Sequence, residues 1–233
     1  ADTAASPSRG MLTGAIIAGG RSTRFGEADK TVADLAGTPM IRRVADRLAG
    51  DGEPVGPGAN RASGTDPVVN ELVVNCRADQ QEPISAAMAD YPLPVTYVID
   101  EQPDLGPAAG IRNVCRATDG LIAVVASDMP FVDPGFIETL SSRADGYDAV
   151  VPQLEAGWYQ TTQAIYQASA MAPAVDRALE AGEHKIIAPL EYLDWTVVDH
   201  EIIRSATDLR TFENLNTLTE FEAAADQIVE DRP

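Results

Sequence analysis

From residue 13 onward the chain repeats one pattern: a short apolar run, a polar tail, then apolar residues at helical spacing. Runs at 13–18 (TGAIIA), 71–75 (ELVVN), 95–99 and 121–126 (LIAVVA) have the length of buried strands. Between them, Met40, Ile41, Val44 and Leu48 mark a helix over 39–48, with Pro39 at a first-turn position. Helices are also predicted over 83–90, 107–118, 134–143 and 217–229, and strands over 148–151, 162–166 and 196–198. No internal repeat is visible. Strands that alternate with helices predict an α/β fold: a mostly parallel central sheet with helices on both faces, a three-layer α/β/α arrangement. In such sheets a ligand binds beyond the carboxyl ends of the strands. Chemistry is therefore sought in the polar tails AGGRSTRFG, NCRAD, DEQPDLGP and SDMPF.

The 233 residues suit a single domain over 11–233. Residues 1–10 are small and polar and read as a disordered extension. The Gly-, Pro-, Asp- and Ser-rich stretch 50–67 reads as a flexible surface loop within the domain. Acidic residues number 36 against 17 basic ones, a net charge of -19. That balance argues against a nucleic-acid partner and against docking on an anionic membrane. Only Lys30 and Lys185 are lysines. Such a bias fits a halophilic protein, whose surface repulsion is screened by concentrated salt. It also fits an ordinary acidic protein from a GC-rich genome. Cys76 and Cys115 share no metal or disulfide spacing and read as small buried hydrophobes. With no apolar run of about 20 residues, a cytoplasmic protein is expected.

The tail after the first run is the most informative. Gly19-Gly20 lets backbone approach a ligand and turn N–H groups toward an anion. Its spacing matches neither a Walker A loop nor the dinucleotide fingerprint. Arg21, Arg24 and Lys30 place three cations within ten residues of a strongly acidic chain, where a polyanionic ligand needs a local positive pocket. A turn followed by solvated charges is the plainer alternative.

The run GAIIAGGRSTRFGEADKTVADLAGTPMIRRVADRL resembles the signature of the sugar-nucleotidyltransferase-like superfamily. It is most similar to molybdenum cofactor guanylyltransferases of the MobA type. Three later motifs agree in order: DEQPDLGPAAGI, SDMPFV and FENLNT. The resemblance implies GTP and Mg2+ as ligands and molybdopterin as the acceptor, with molybdoenzymes or other cofactor-biosynthesis proteins as further partners. It implies nucleotide binding by Ala18, Gly19, Gly20 and Arg24, with Lys30 on the phosphates. By the same resemblance Asn75 and Asp100 match positions that contact the nucleoside, and Gly106 is a further nucleotide-binding position. Arg21, Lys30 and Asp128 would be catalytic, and Asp128 with Asn216 would hold the metal, together with phosphate oxygens. Taken alone, Asp128 and Asn216 read equally as helix caps, Asn75 as a strand-end cap, and Asp100 as a turn residue. The paired glycines favour GTP over CTP by the same resemblance.

The chain departs from the family pattern at three places: beside the expected metal, in the GPLAG-like turn, and on the acceptor side. Ser127 stands where the family has Cys, Ala108 replaces Leu, and GWYQTTQAI at 157–165 lacks the family's His-Pro or Gln-Pro step. Gln160, Thr161 and Lys185 are candidate acceptor contacts, and Lys185 reads equally as a solvated helix residue. His184 and His200 read as a surface and a packing residue. Another nucleotidyltransferase of the same fold, or a non-catalytic carrier of nucleotide or molybdopterin, are the competing functions.

Overall fold

The computed structural model describes residues 11–20, 29–50, 67–100 and 105–230. Strand β1 (Leu12–Ile17) is buried along its whole length and is an interior strand, third in the seven-stranded sheet. A short hairpin, β2 (Asp34–Leu35) and β3 (Thr38–Pro39), turns through Ala36 and Gly37, both with positive φ. Helix α1 (Met40–Leu48) follows directly, so Pro39 caps the helix instead of occupying its first turn. Next come β4 (Glu71–Cys76), α2 (Gln81–Ala87), β5 (Val95–Ile99), α3 (Pro107–Ala117) and β6 (Leu121–Ala126). The second half adds α4 (Pro134–Ser141), β7 (Ala149–Pro152), β8 (Gln163–Gln167), α5 (Ala168–Glu180), β9 (Trp195–Val198), α6 (His200–Ala206) and α7 (Leu218–Glu230).

The main sheet runs β5-β4-β1-β6-β8-β7-β9. β1 pairs in parallel with both β4 and β6, and β4 with β5. The chain therefore moves outward from β1 through β4 to β5, then returns to the other side of β1 with β6. That reversal makes a switch point between β1 and β6, where their carboxyl ends diverge around a crevice. The alternation of side chains sorts the core into two layers. Ile16, Leu72, Val74 and Val125 face α1, α2, α4 and α6, while Ala15, Ile17, Val73 and Val124 face α3 and α5. A smaller cluster of Leu35, Met40, Phe131, Leu215 and Phe221 docks α7 beside the hairpin.

Three features depart from the sequence reading. β8 runs antiparallel to both β6 and β7. α5 is a helix despite Pro173 in its interior, because Met171, Ala172, Val175 and Ala178 form a buried stripe. α6 is a short helix started by Asp199, whose carboxylate accepts from the Ile202 N–H. The expectations for 1–10 and for most of 50–67 fall outside the described residues. Among the described residues no helix is long and apolar enough to cross a membrane.

Candidate active site

A cleft of about 470 Å³ opens at the switch point, within the size range of small-ligand sites. Four carboxyl-end segments build it. Ala18, Gly19 and Gly20 leave β1; Asn75 ends β4; Asp100 follows β5; Ser127 and Asp128 follow β6. Lys30, Gly106 and Asn216 also line it, so each described residue proposed for the nucleotide, the metal or catalysis lies on this one cavity. Arg21 and Arg24 lie outside the described residues.

The ammonium of Lys30 is the electrostatic centre. It donates to Asp128 Oδ2 at 2.7 Å, Asn216 Oδ1 at 3.2 Å and the Leu215 carbonyl at 3.4 Å. The Lys30 and Asp128 side chains are only 14% and 17% exposed, so the pair is shielded from water and holds its geometry more firmly than a surface pair. A backbone bond from the Leu215 N–H to the Asp128 carbonyl, 3.0 Å, ties the two distant segments together. In the following loop, Glu220 Oε2 accepts from the N–H groups of Asn216 (2.8 Å) and Thr217 (2.9 Å), and Thr217 Oγ1 accepts from the Glu220 N–H. This is a capping box at the start of α7. The two backbone donors, that of Asn216 foremost, hold the Glu220 carboxyl below its ordinary value.

These contacts resolve the capping alternatives. No helix starts at Asp128; α4 is capped by Asp133, which accepts from the Gly135 N–H. α7 is capped by Thr217 and Glu220, which leaves the Asn216 amide oxygen for Lys30. In this structure Lys30 engages Asp128 and Asn216, the residues expected to hold a metal.

On the opposite wall Asn75 is fully buried. Its Nδ2 donates to the Val98 carbonyl at 3.2 Å, while Oδ1 is buried beside Gly110 and Gly19 and has no hydrogen-bond partner. A buried acceptor left open costs about 1–3 kcal/mol, a cost that a ligand N–H or O–H would recover. Room for this oxygen comes from Gly110 on α3: a Cβ there would stand 2.5 Å from Oδ1. A Cβ at Gly19 would sit 3.4 Å from Asp100 Oδ2 and 3.5 Å from Asn75 Oδ1, so the glycine loop threads between the two. Gly106, at φ 81°, makes the turn that aims the amino end of α3 at the cleft, a polarity suited to an anion.

Sequence reading missed Arg77. Its guanidinium donates to the carbonyls of Gly20 (2.9 Å) and Gly19 (3.4 Å) and pairs with Asp79. With the Gly19 carbonyl held toward Arg77, the Gly20 N–H of the same trans peptide faces the other way. The tail NCRAD carries the residue, but a contact to backbone oxygens leaves no sequence pattern. Gly110 and Thr162 also line the cleft unforeseen. Gln160 and Thr161 sit just before Thr162 and are not part of the lining. Lys185 is exposed and lies beyond the end of α5, so the helical alternative for it does not hold. Its neighbour His184 is remote in sequence, yet its carbonyl lies 3.6 Å from where a Cβ on Gly106 would stand, so this segment borders the cleft. Both cysteines are buried, and burial pushes Cys76 to about 11 and Cys115 to about 12. Neither is a nucleophile at neutral pH.

Known proteins share this architecture and sequence. A probable molybdenum cofactor guanylyltransferase of Natronomonas pharaonis is 43% identical over 94% of this chain and 99% of its own length. One of the same description from Haloferax mediterranei is 34% identical over 90% of this chain and 91% of its own. The crystal structure of molybdopterin-guanine dinucleotide biosynthesis protein A from Archaeoglobus fulgidus superposes with a TM-score of 0.68 at 26% identity, covering 94% of this chain and 99% of that one. The MobA-like NTP transferase domain matches residues 14–195. The chain belongs to the family of MobA-like NTP transferase domains.

Proposed function

We propose that the protein transfers GMP from GTP to the terminal phosphate of molybdenum-bearing molybdopterin, releasing pyrophosphate. The carrying observation is the convergence, on one crevice, of the glycine loop, the Lys30–Asp128–Asn216 cluster and the open acceptor of Asn75. The names of the relatives supply the acceptor class.

The acceptor phosphate is ionised at neutral pH, so no general base is needed. A phosphate oxygen of the acceptor bonds to the α-phosphorus of GTP, and the bond from that phosphorus to the bridging oxygen of the β-phosphate breaks. Positioning and charge neutralisation then carry the rate. Asn75 lines the cleft, and its unpartnered Oδ1 would accept from a base or ribose donor, with Asp100 beside the same loop. The α3 terminus and the glycine loop offer N–H groups to phosphate oxygens. The donor set around Lys30 suits Mg2+: a carboxylate, a carboxamide oxygen and a backbone carbonyl already surround a positive charge. When bound, the ion would neutralise charge on the phosphates. Among the described residues no cluster of three or more His, Cys, Asp or Glu forms a metal cage, so phosphate and water would complete the coordination.

Pyrophosphate release from GTP, CTP and ATP, with Mg2+ in concentrated KCl, with and without molybdopterin, tests the reading. Release from GTP that depends on molybdopterin is expected. Preference for CTP or ATP, or GTP binding with no turnover on molybdopterin, would overturn it.

A further inference from the structure

We infer that Lys30 is a placeholder cation. It occupies the oxygen triad in the nucleotide-free protein and leaves it only when nucleotide phosphates arrive, so a divalent ion enters with the nucleotide and not before it. The inference rests on the metal reading above and adds an order of binding to it.

An ammonium has three N–H donors, and Lys30 directs them at three oxygens: Asp128 Oδ2, Asn216 Oδ1 and the Leu215 carbonyl. A tripod of hard oxygens, one of them charged, is also a partial shell for a small divalent cation. The tripod is built into the backbone. Leu215 is bonded to Asp128, and Asn216 and Thr217 are bonded to Glu220. The base of Lys30 is anchored too: Asp29 Oδ1 accepts from the Thr31 N–H at 3.0 Å, and Asp29 Oδ2 accepts from Gln80 Nε2 at 2.7 Å. What remains free to move is the lysine's flexible four-carbon stem.

Charge explains the coupling. Asp128 is largely shielded, so withdrawing the ammonium alone would strand a poorly hydrated carboxylate. A divalent ion arriving alone would have to evict Lys30 from all three oxygens and brings it no partner in exchange; among the described lining residues the other carboxylate is Asp100, which lies beside Gly19 and Asn75. Nucleotide phosphates remove that obstacle. They supply the displaced ammonium with partners and the incoming ion with its remaining oxygen ligands. Lys30 thus serves the empty site and the phosphates in turn, which reconciles its contacts here with the role implied by resemblance.

The test is Mn2+ uptake by the full chain, read at fixed KCl as loss of the free-ion electron paramagnetic resonance signal beyond the loss that the same GTP concentration causes without protein. Wild type is expected to take up Mn2+ in the presence of GTP and at least tenfold more weakly without it. Lys30→Gln removes the placeholder and should bind Mn2+ without nucleotide at least tenfold more tightly than wild type. Adding Asp128→Asn should abolish that gain. Lys30→Arg keeps the charge and should keep Mn2+ out; this arm and the wild-type comparison decide the matter if Lys30→Gln does not fold. Equal uptake by wild type with and without GTP, or a folded Lys30→Gln with no gain, would overturn the placeholder while leaving the metal reading standing. No uptake by wild type even with GTP would overturn both.

Discussion

Replacing Gly110 by alanine sets two effects of opposite sign against each other. Gly110 lies inside α3, where alanine is favoured over glycine by about 1 kcal/mol. On propensity alone the variant is more stable. Packing says otherwise. The new Cβ would stand 2.5 Å from Asn75 Oδ1 and 3.3 Å from both Asn75 Cγ and Ile17 Cγ2. Asn75 is short and fully buried, and its amide nitrogen is committed to the Val98 carbonyl. Overpacking of this kind costs about 1–3 kcal/mol. If the amide swings away, the lost Val98 bond leaves a buried donor open, about another 1–3 kcal/mol. The net expectation is destabilisation by about 1–5 kcal/mol, together with at least about tenfold weaker GTP binding, the equivalent of 1.4 kcal/mol. Urea unfolding in concentrated KCl reads the first quantity and calorimetric titration with GTP the second. An Asn75→Ala background removes the oxygen that the Cβ meets, so there the same Gly110→Ala change should become stabilising. A Gly110→Ala single variant that gains stability and binds GTP like wild type would refute the packing argument.

Arg77→Gln releases the clasp on the glycine loop and should raise KM for GTP by about tenfold with little change in melting temperature; Arg77→Lys should rescue only in part, because an ammonium lacks the planar fork. Cys76 and Cys115 should resist Ellman's reagent at pH 8 in the native protein and both react in denaturant. Because burial raises both thiols above their ordinary value of 9.0, their contribution to stability is intact below pH 9 and lost as pH climbs toward 11–12, which urea midpoints at pH 8 and 10.5 would register. Glu220 titrates in the opposite sense. Its lowered carboxyl supports the Asn216 loop above its ordinary value of 4.5, and that support is lost as acid takes it through the lower native value. Glu220→Gln should therefore flatten the acid limb of the unfolding profile measured by circular dichroism.

The sequence revealed the half of the sheet that carries the candidate cleft more clearly than the other half. β1, β4, β5 and β6 are short apolar runs with polar tails, and their parallel register follows from the helices that separate them. β8 has a similar composition, but the short excursion after β7 brings the chain straight back, and direction in a sheet is set by the connection, not by the strand. α5 was hidden by Pro173, which breaks the local signal although the buried stripe persists across it. In the site, Lys30 stands out as a cation in an acidic chain, whereas Asn75, Asp100, Asp128 and Asn216 are picked out by resemblance to the family's motifs, because taken alone each reads equally as a cap or turn residue. The Leu215 carbonyl and the carbonyls held by Arg77 are not legible, since every residue has one and only the fold selects which is used.

The stitch between Asp128 and Leu215 also bears on how the molecule reaches its native state. Lys30 meets Asp128 across 98 residues of chain and Asn216 across 186. Closing loops of that length precedes any reward from the contacts they permit, so such topologies fold slowly. The charge cluster cannot exist until β1 and β6 have paired and the segment leading into α7 has docked. A newly made chain therefore stays without a competent cleft until the segment through Asn216 has left the ribosome, and GTP cannot stabilise an earlier, partly folded intermediate through these contacts.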